Sequence, residues 1–199
     1  MSASDAAHTQ KRLGPRDWVH AAIDVIIASS VDQVRVERLA ATLGVSKGSF
    51  YWHFKDRAEL LMAVLADWEE RATRAVDGRV ARAEPEPAGQ LLRFMMLPLG
   101  ASAALRAADL ELAIIGWAWR CEEARAVVAR VDQARTATMA RLFAALGFAP
   151  EEAAYRAHQA YAFLRYVAQR RDLPIAARQA LIQRMHGALT AAGGAGLLL

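Results

Sequence analysis

Tyr51, Trp52, His53 and Phe54 stand side by side in this chain, closely preceded by Lys47, Gly48 and Ser49. The run offers an ammonium, a hydroxyl, a phenol, an indole and an imidazole, with small residues between them. Small residues permit close approach to a duplex, and such donors meet phosphates and base edges in a major groove. Consecutive ring side chains cannot all point inward on a short helix, so some are exposed and need a partner to cover them. A plain helical hairpin with a solvated lysine would leave those rings bare, and we set it below recognition of DNA.

The elements that must position these groups are legible in the spacing. Val36, Leu39, Ala40 and Leu43 fall at i, i+3, i+4 and i+7, one apolar face of a short helix. Gly44 suits the left-handed stop of that helix, and Val45 plugs the inside of the angle. Ala40 is small where two crossing helices approach. Ser46 offers an N-cap for the next helix, on which Phe50 and Phe54 stack at i, i+4. Leu39, Leu43, Phe50 and Phe54 form a floor against Trp18, Ala22, Val25 and Ile26 of a first helix opened by Pro15. Asp56 followed by Glu59 resembles a capping box that opens a long helix to about Arg79.

Beyond this segment strand signals are nearly absent. Glu84-Pro85-Glu86-Pro87 is the clearest linker. Five more helices follow at about 88–99, 104–119, 122–146, 150–171 and 175–190, broken by Pro98 with Gly100, by Gly147 with Pro150, and by Pro174. The expectation is an all-α chain of about nine helices. A flexible arm at 1–12 precedes a helix-turn-helix head at 13–55, a connecting helix spans about 56–79, and a second domain spans 84–199. The glycine-bearing tail is expected to fray.

Composition narrows the function classes. The 199 residues are 55% hydrophobic and 23% charged, with a net charge of +4. The positive excess is not piled onto one segment, so charge alone says little about a nucleic acid. A single cysteine, Cys121, removes a disulfide framework and any Cys-rich zinc site. Its neighbours Glu122 and Glu123 do not favour a reactive thiolate. The apolar stretches are too short or too broken to span a bilayer, and no leader is visible. The sequence therefore reads as a soluble cytoplasmic protein with no cofactor, no metal and no membrane partner. No HExxH, GxSxG or P-loop spacing occurs, which sets an enzyme far below a binding protein.

On the residues that run from Leu39 to Leu60, the chain resembles the TetR family of bacterial transcriptional regulators. The resemblance covers about residues 13–65, and Phe50-Tyr51-Trp52-His53-Phe54-Lys55 is its most characteristic part. It implies a homeodomain-like three-helix head with Lys47, Gly48, Ser49, Tyr51, Trp52 and His53 on the recognition helix. It also implies that Lys55 and Arg57, at the start of the fourth helix, contact phosphate. Two positions depart from the family's pattern. Arg35 stands where a capping Thr is usual; it replaces the phosphate contact but not the cap, at a cost of about 1 kcal/mol. Ser30 stands where a glycine usually follows the first helix. The resemblance further implies a helical domain that dimerises and binds a small effector. The reading is then a regulator, more a repressor than an activator, that binds a near-palindromic operator as a homodimer. A nonspecific or architectural DNA binder is the alternative, and a helical enzyme the remote one.

The second half supplies weaker expectations. For the dimer, the helix at 150–171 offers Ala157, Tyr161 and Leu164, and that at 175–190 offers Leu181 and Met185. For an apolar or aromatic effector, the candidates on the first helices are Phe94, Met95, Trp117 and Trp119. Phe143, Tyr155, His158 and Tyr161 complete that set. Trp117 and Trp119 lie two apart, so one faces inside and the other a surface or pocket.

Overall fold

The computed structural model describes residues 13–73, 80, 84–100 and 102–191. The expected arm at 1–12, the last part of the long helix at 74–79 and the tail at 192–199 lie outside the described residues. Every described element is helical. The helices are α1 (Pro15–Ala28), α2 (Val36–Leu43), α3 (Lys47–Tyr51), α4 (Arg57–Ala72) and α5 (Pro87–Met96). After them come α6 (Ser102–Ala118), α7 (Glu122–Ala145), α8 (Pro150–Gln169) and α9 (Ile175–Thr190). Short 3-10 turns at Val31–Gln33 and Leu97–Leu99 precede α2 and α6. No single described helix is long and apolar enough to cross a membrane. The chain divides into two compact units, a head that ends at Val64 and a body that begins at Leu65, so the division falls inside α4.

In the head, α1 turns Trp18, Ala22, Ile23 and Ile26 inward, and they meet Leu39, Ala40, Phe50 and Phe54 as buried residues. The Trp18 and Phe50 rings meet edge to face at 5.2 Å, and Phe50 stacks on Phe54 at 5.5 Å. Full burial of such a side chain contributes roughly 2–3 kcal/mol. Gly44 ends α2 at φ +70°, a conformation L side chains rarely adopt. The Val45 N–H then donates back to the Ala40 carbonyl at 3.0 Å, which turns the chain sharply into α3.

Three local expectations change in detail. Ser46 occupies the N-cap of α3, but its side chain makes no cap bond; only its carbonyl takes part, accepting from the Ser49 N–H at 3.0 Å. The helix itself closes at Tyr51, so Trp52 and His53 sit in the turn that follows. Asp56 Oδ1 accepts from the Glu59 N–H at 2.9 Å as a capping box requires. The reciprocal bond, however, runs from the Lys55 N–H to Glu59 Oε2 at 2.5 Å, one residue earlier than in the usual box.

In the body, α8 packs along α7 and also against α9. Its core gathers Leu91, Phe94, Met95, Met139, Phe143, Ala157, Ala160, Leu164, Val167 and Ile182. Arg156 is buried yet satisfied: Nε donates to Glu152 Oε1 at 2.6 Å, and Nη1 donates to the Leu189 carbonyl near the end of α9 at 2.5 Å. Its guanidinium also lies 4.2 Å from the Phe148 ring centre.

Candidate nucleic-acid interface

Residues Lys47 to Phe54 divide between the interior and the surface of the head. Phe50 is fully buried and Phe54 nearly so, while Tyr51 is 54% and Trp52 88% exposed. Lys47 and Gly48 are exposed, and Ser49 and His53 are half-buried. Burial of the two phenyl rings fixes the rotation of α3, and that rotation leaves the phenol and indole outside. A Cβ placed on Gly48 would meet only Ser46 Oγ, at 3.6 Å, an ordinary contact. The protein itself does not need a glycine there.

Arg35 and Lys55 are exposed as expected. Arg35 sits at the N-cap of α2 with no side-chain cap bond. Arg57 is half-buried and has partners within the head. Its Nε donates to the Val34 carbonyl at 2.7 Å and its Nη2 to the Val31 carbonyl at 2.6 Å. The guanidinium thereby ties the start of α4 to the turn that precedes α2. This is a structural bond within the head, and it uses two of the five guanidinium N–H donors.

Sequence reasoning missed Glu37. Its carboxylate accepts from Lys47 Nζ at 2.5 Å across the angle between α2 and α3. The bond to Glu37 holds the Lys47 ammonium above its ordinary range. The same bond holds Glu37 below the usual carboxylate range, with Arg35 adding a weaker pull. The available signal was positional: Val36 and Leu39 face inward, so Glu37 must face outward beside the recognition helix.

The body redistributes the effector and dimer candidates. Phe94, Met95 and Phe143 are core residues, since the space around them is filled by Leu91, Met139 and Ala157. Trp117 is 9% exposed and Trp119 82%, the division their spacing predicts, and Tyr155 lies outside. His158 and Tyr161 do share a concavity, an open groove of about 500 Å³ between α7 and α8 that Asp132, Gln133, Thr136, Ala162 and Arg165 also line. Behind it, Tyr161 donates to Asp132 Oδ1 at 2.7 Å, and burial pushes its hydroxyl up to about 12. Arg135 Nη1 donates to Glu111 Oε1 at 2.8 Å and its Nε to the Ala72 carbonyl at 3.1 Å. Burial opposes that charge, but Glu111 more than offsets it and holds the guanidinium above its ordinary range.

For the dimer, Ala157, Tyr161 and Leu164 are buried within a single chain, and Leu181 and Met185 are half-buried against the same core. Within the single chain, Ala157, Tyr161 and Leu164 complete the body, while Leu181 and Met185 keep part of their surface exposed. The physical reason is that α8 lies between α7 and α9, so its most apolar side is already covered. The outward side of α8 instead carries Tyr155, Ala162 and Tyr166, and that of α9 carries Ala176, Ala180, Gln183 and Gly187.

A left-handed glycine stop, a five-residue second helix and an outward phenol and indole define a helix-turn-helix head on a separate helical body. Comparison with known proteins agrees. Residues 19–64 match the family described as bacterial regulatory proteins, tetR family. The chain is 35% identical over 65 residues to SrpR, an HTH-type transcriptional regulator of Pseudomonas putida; the match covers 33% of this chain and 28% of SrpR. It is equally identical, 35% over 65 residues, to TtgW, an uncharacterised HTH-type regulator of the same species, covering 33% of this chain and 45% of TtgW. The matched part thus spans less than half of either relative. Among solved structures, a transcriptional regulator from Rhodococcus sp. Rha1 superposes with a TM-score of 0.75 at 20% identity, covering 89% of this chain and 96% of that one. A protein from Saccharomonospora viridis solved in complex with choline has a TM-score of 0.74 at 15% identity, covering 85% of this chain and 93% of that one. At such identities the likeness concerns the fold. Over its head, the chain is similar to the TetR family of bacterial regulatory proteins.

Proposed function

We propose that the chain is a DNA-binding transcriptional regulator that represses by occupying a near-palindromic operator as a homodimer. The observation that carries this reading is the outward set of Lys47, Gly48, Tyr51 and Trp52, with the Phe50 and Phe54 rings turned inward. A two-fold reader needs a second head, and the outward faces of α8 and α9 supply the surface for it. Ala176, Ala180 and Gly187 let a mate's helix approach closely, and Tyr155 and Tyr166 add apolar area beside them. Repression follows from coverage of promoter DNA, which needs no further contact surface.

A small effector fits the α7–α8 groove better than the body interior, where the apolar candidates are packed as core. Polar groups stand among its lining: His158 Nδ1 lies 2.8 Å from the Ala154 carbonyl, and Asp132, Thr136 and Arg165 are beside it. The solved relative with choline supports a small-molecule role for such bodies. A coupling of about 1–3 kcal/mol between groove and head is enough to shift operator occupancy.

Selection of bound duplexes from a random pool tests the reading. The native protein should enrich a near-palindrome. Lys47→Ala and Tyr51→Ala should each weaken binding to it by about tenfold, with sedimentation and thermal unfolding unchanged. Unchanged affinity in both variants removes the assignment of the face. Equal binding to scrambled duplex, with steep salt dependence and no enriched sequence, favours the architectural alternative.

A further inference from the structure

A carboxylate is out of place on a surface meant for phosphates, yet Glu37 stands within that surface, flanked by Arg35 and bonded to Lys47. Both partners are substantially exposed, with 51% of the Lys47 side chain and 63% of the Glu37 side chain accessible. Such a pair adds little to stability, so the stability of the head does not explain it. Its geometric effect is larger. A lysine ammonium on a free four-carbon stem reaches any nearby phosphate, and phosphate carries no sequence information. Bonded to Glu37, the ammonium is held across the angle between α2 and α3, with two of its three N–H donors still unassigned. Two donors from one nitrogen suit the O6 and N7 acceptors that guanine presents side by side in the major groove. The carboxylate meanwhile repels a phosphate that would draw the ammonium away.

We infer that Glu37 is a positioning residue that fixes Lys47 as a reader of guanine and keeps it off the phosphate backbone. The inference rests on the regulator reading, and it adds which base Lys47 selects and which residue makes it selective. The pair also accounts for a glycine at position 48, since a base edge can reach Nζ only if the neighbouring surface is low.

The test compares selections made with the native protein, Glu37→Gln, Lys47→Ala and the double variant Glu37→Gln/Lys47→Gln. Glutamine keeps the shape of the exposed side chain and removes its charge. The native protein should enrich guanine at one position of each half-site, and Lys47→Ala should erase that position. Glu37→Gln should still bind, but its preference for guanine there should fall by about tenfold. Its affinity for scrambled duplex should rise about fivefold, with a steeper salt dependence, as Lys47 gains a phosphate contact. The double variant should lose that rise. Retention of the native preference in Glu37→Gln overturns the inference, as does a Lys47-dependent position that is not guanine. Loss of operator affinity without any gain on scrambled duplex also overturns it, and points to Glu37 contacting a base directly. If the native protein binds no duplex at all, the regulator reading itself fails and this inference falls with it.

Discussion

Arg57 has a structural task that its residue type does not announce. Its two bonds to the Val31 and Val34 carbonyls hold the turn ahead of α2 against the start of α4. Arg57→Ala leaves both part-buried carbonyls without that partner and should destabilise the head by about 2 kcal/mol. Arg57→Lys should recover only part of this, because an ammonium lacks the planar fork. Urea unfolding followed by a head-specific probe measures both, and a native midpoint in Arg57→Ala would disprove the tie. Nothing in the sequence near Arg57 announces the bond, since its acceptors are backbone groups 23 and 26 residues away. By contrast, the division between Trp117 and Trp119 was legible, because residues two apart along a helix point to different faces.

Among the elements, α2 begins on Arg35, whose backbone at φ −122°, ψ 130° is already extended as an N-cap requires. Its side chain supplies no acceptor to the first turn. Arg35→Thr should therefore stabilise the head by about 1 kcal/mol, seen as a higher urea midpoint; an unchanged or lower midpoint would contradict it. Element boundaries followed the sequence where a residue type has one strong local preference, as at Gly44, Pro150 and Pro174. The outward face of α8 was not legible for a physical reason. Ala153, Ala154, Ala157, Ala160 and Ala162 surround much of that helix, so small side chains mark no unique direction. Which alanines are buried depends on where α7 and α9 pack, and that is decided by the whole body. The apolar effector candidates were ambiguous for a like reason: Phe94, Met95 and Phe143 are of types that line pockets and also fill cores, and here they are buried in the core.

The assembly hypothesis can be separated from the fold of the single chain. Gly187 lies exposed on α9, and a Cβ there would meet nothing within 4 Å. Gly187→Arg removes a helix-interior glycine and should raise the stability of the body by up to about 1 kcal/mol. On the proposed interface the same change places a long charged side chain against the mate and should shift sedimentation toward a monomer. A dimer that persists in Gly187→Arg would exclude this face from the contact.

The five tryptophans divide into three that are dry, at positions 18, 68 and 117, and two that are wet, Trp52 in the head and Trp119 in the body. The molecule therefore carries its own pair of optical reporters, one for each unit. Red-shifted indole emission, read in chains that keep only Trp52 or only Trp119 of that pair, distinguishes an event on the nucleic-acid side from one in the body without any attached dye.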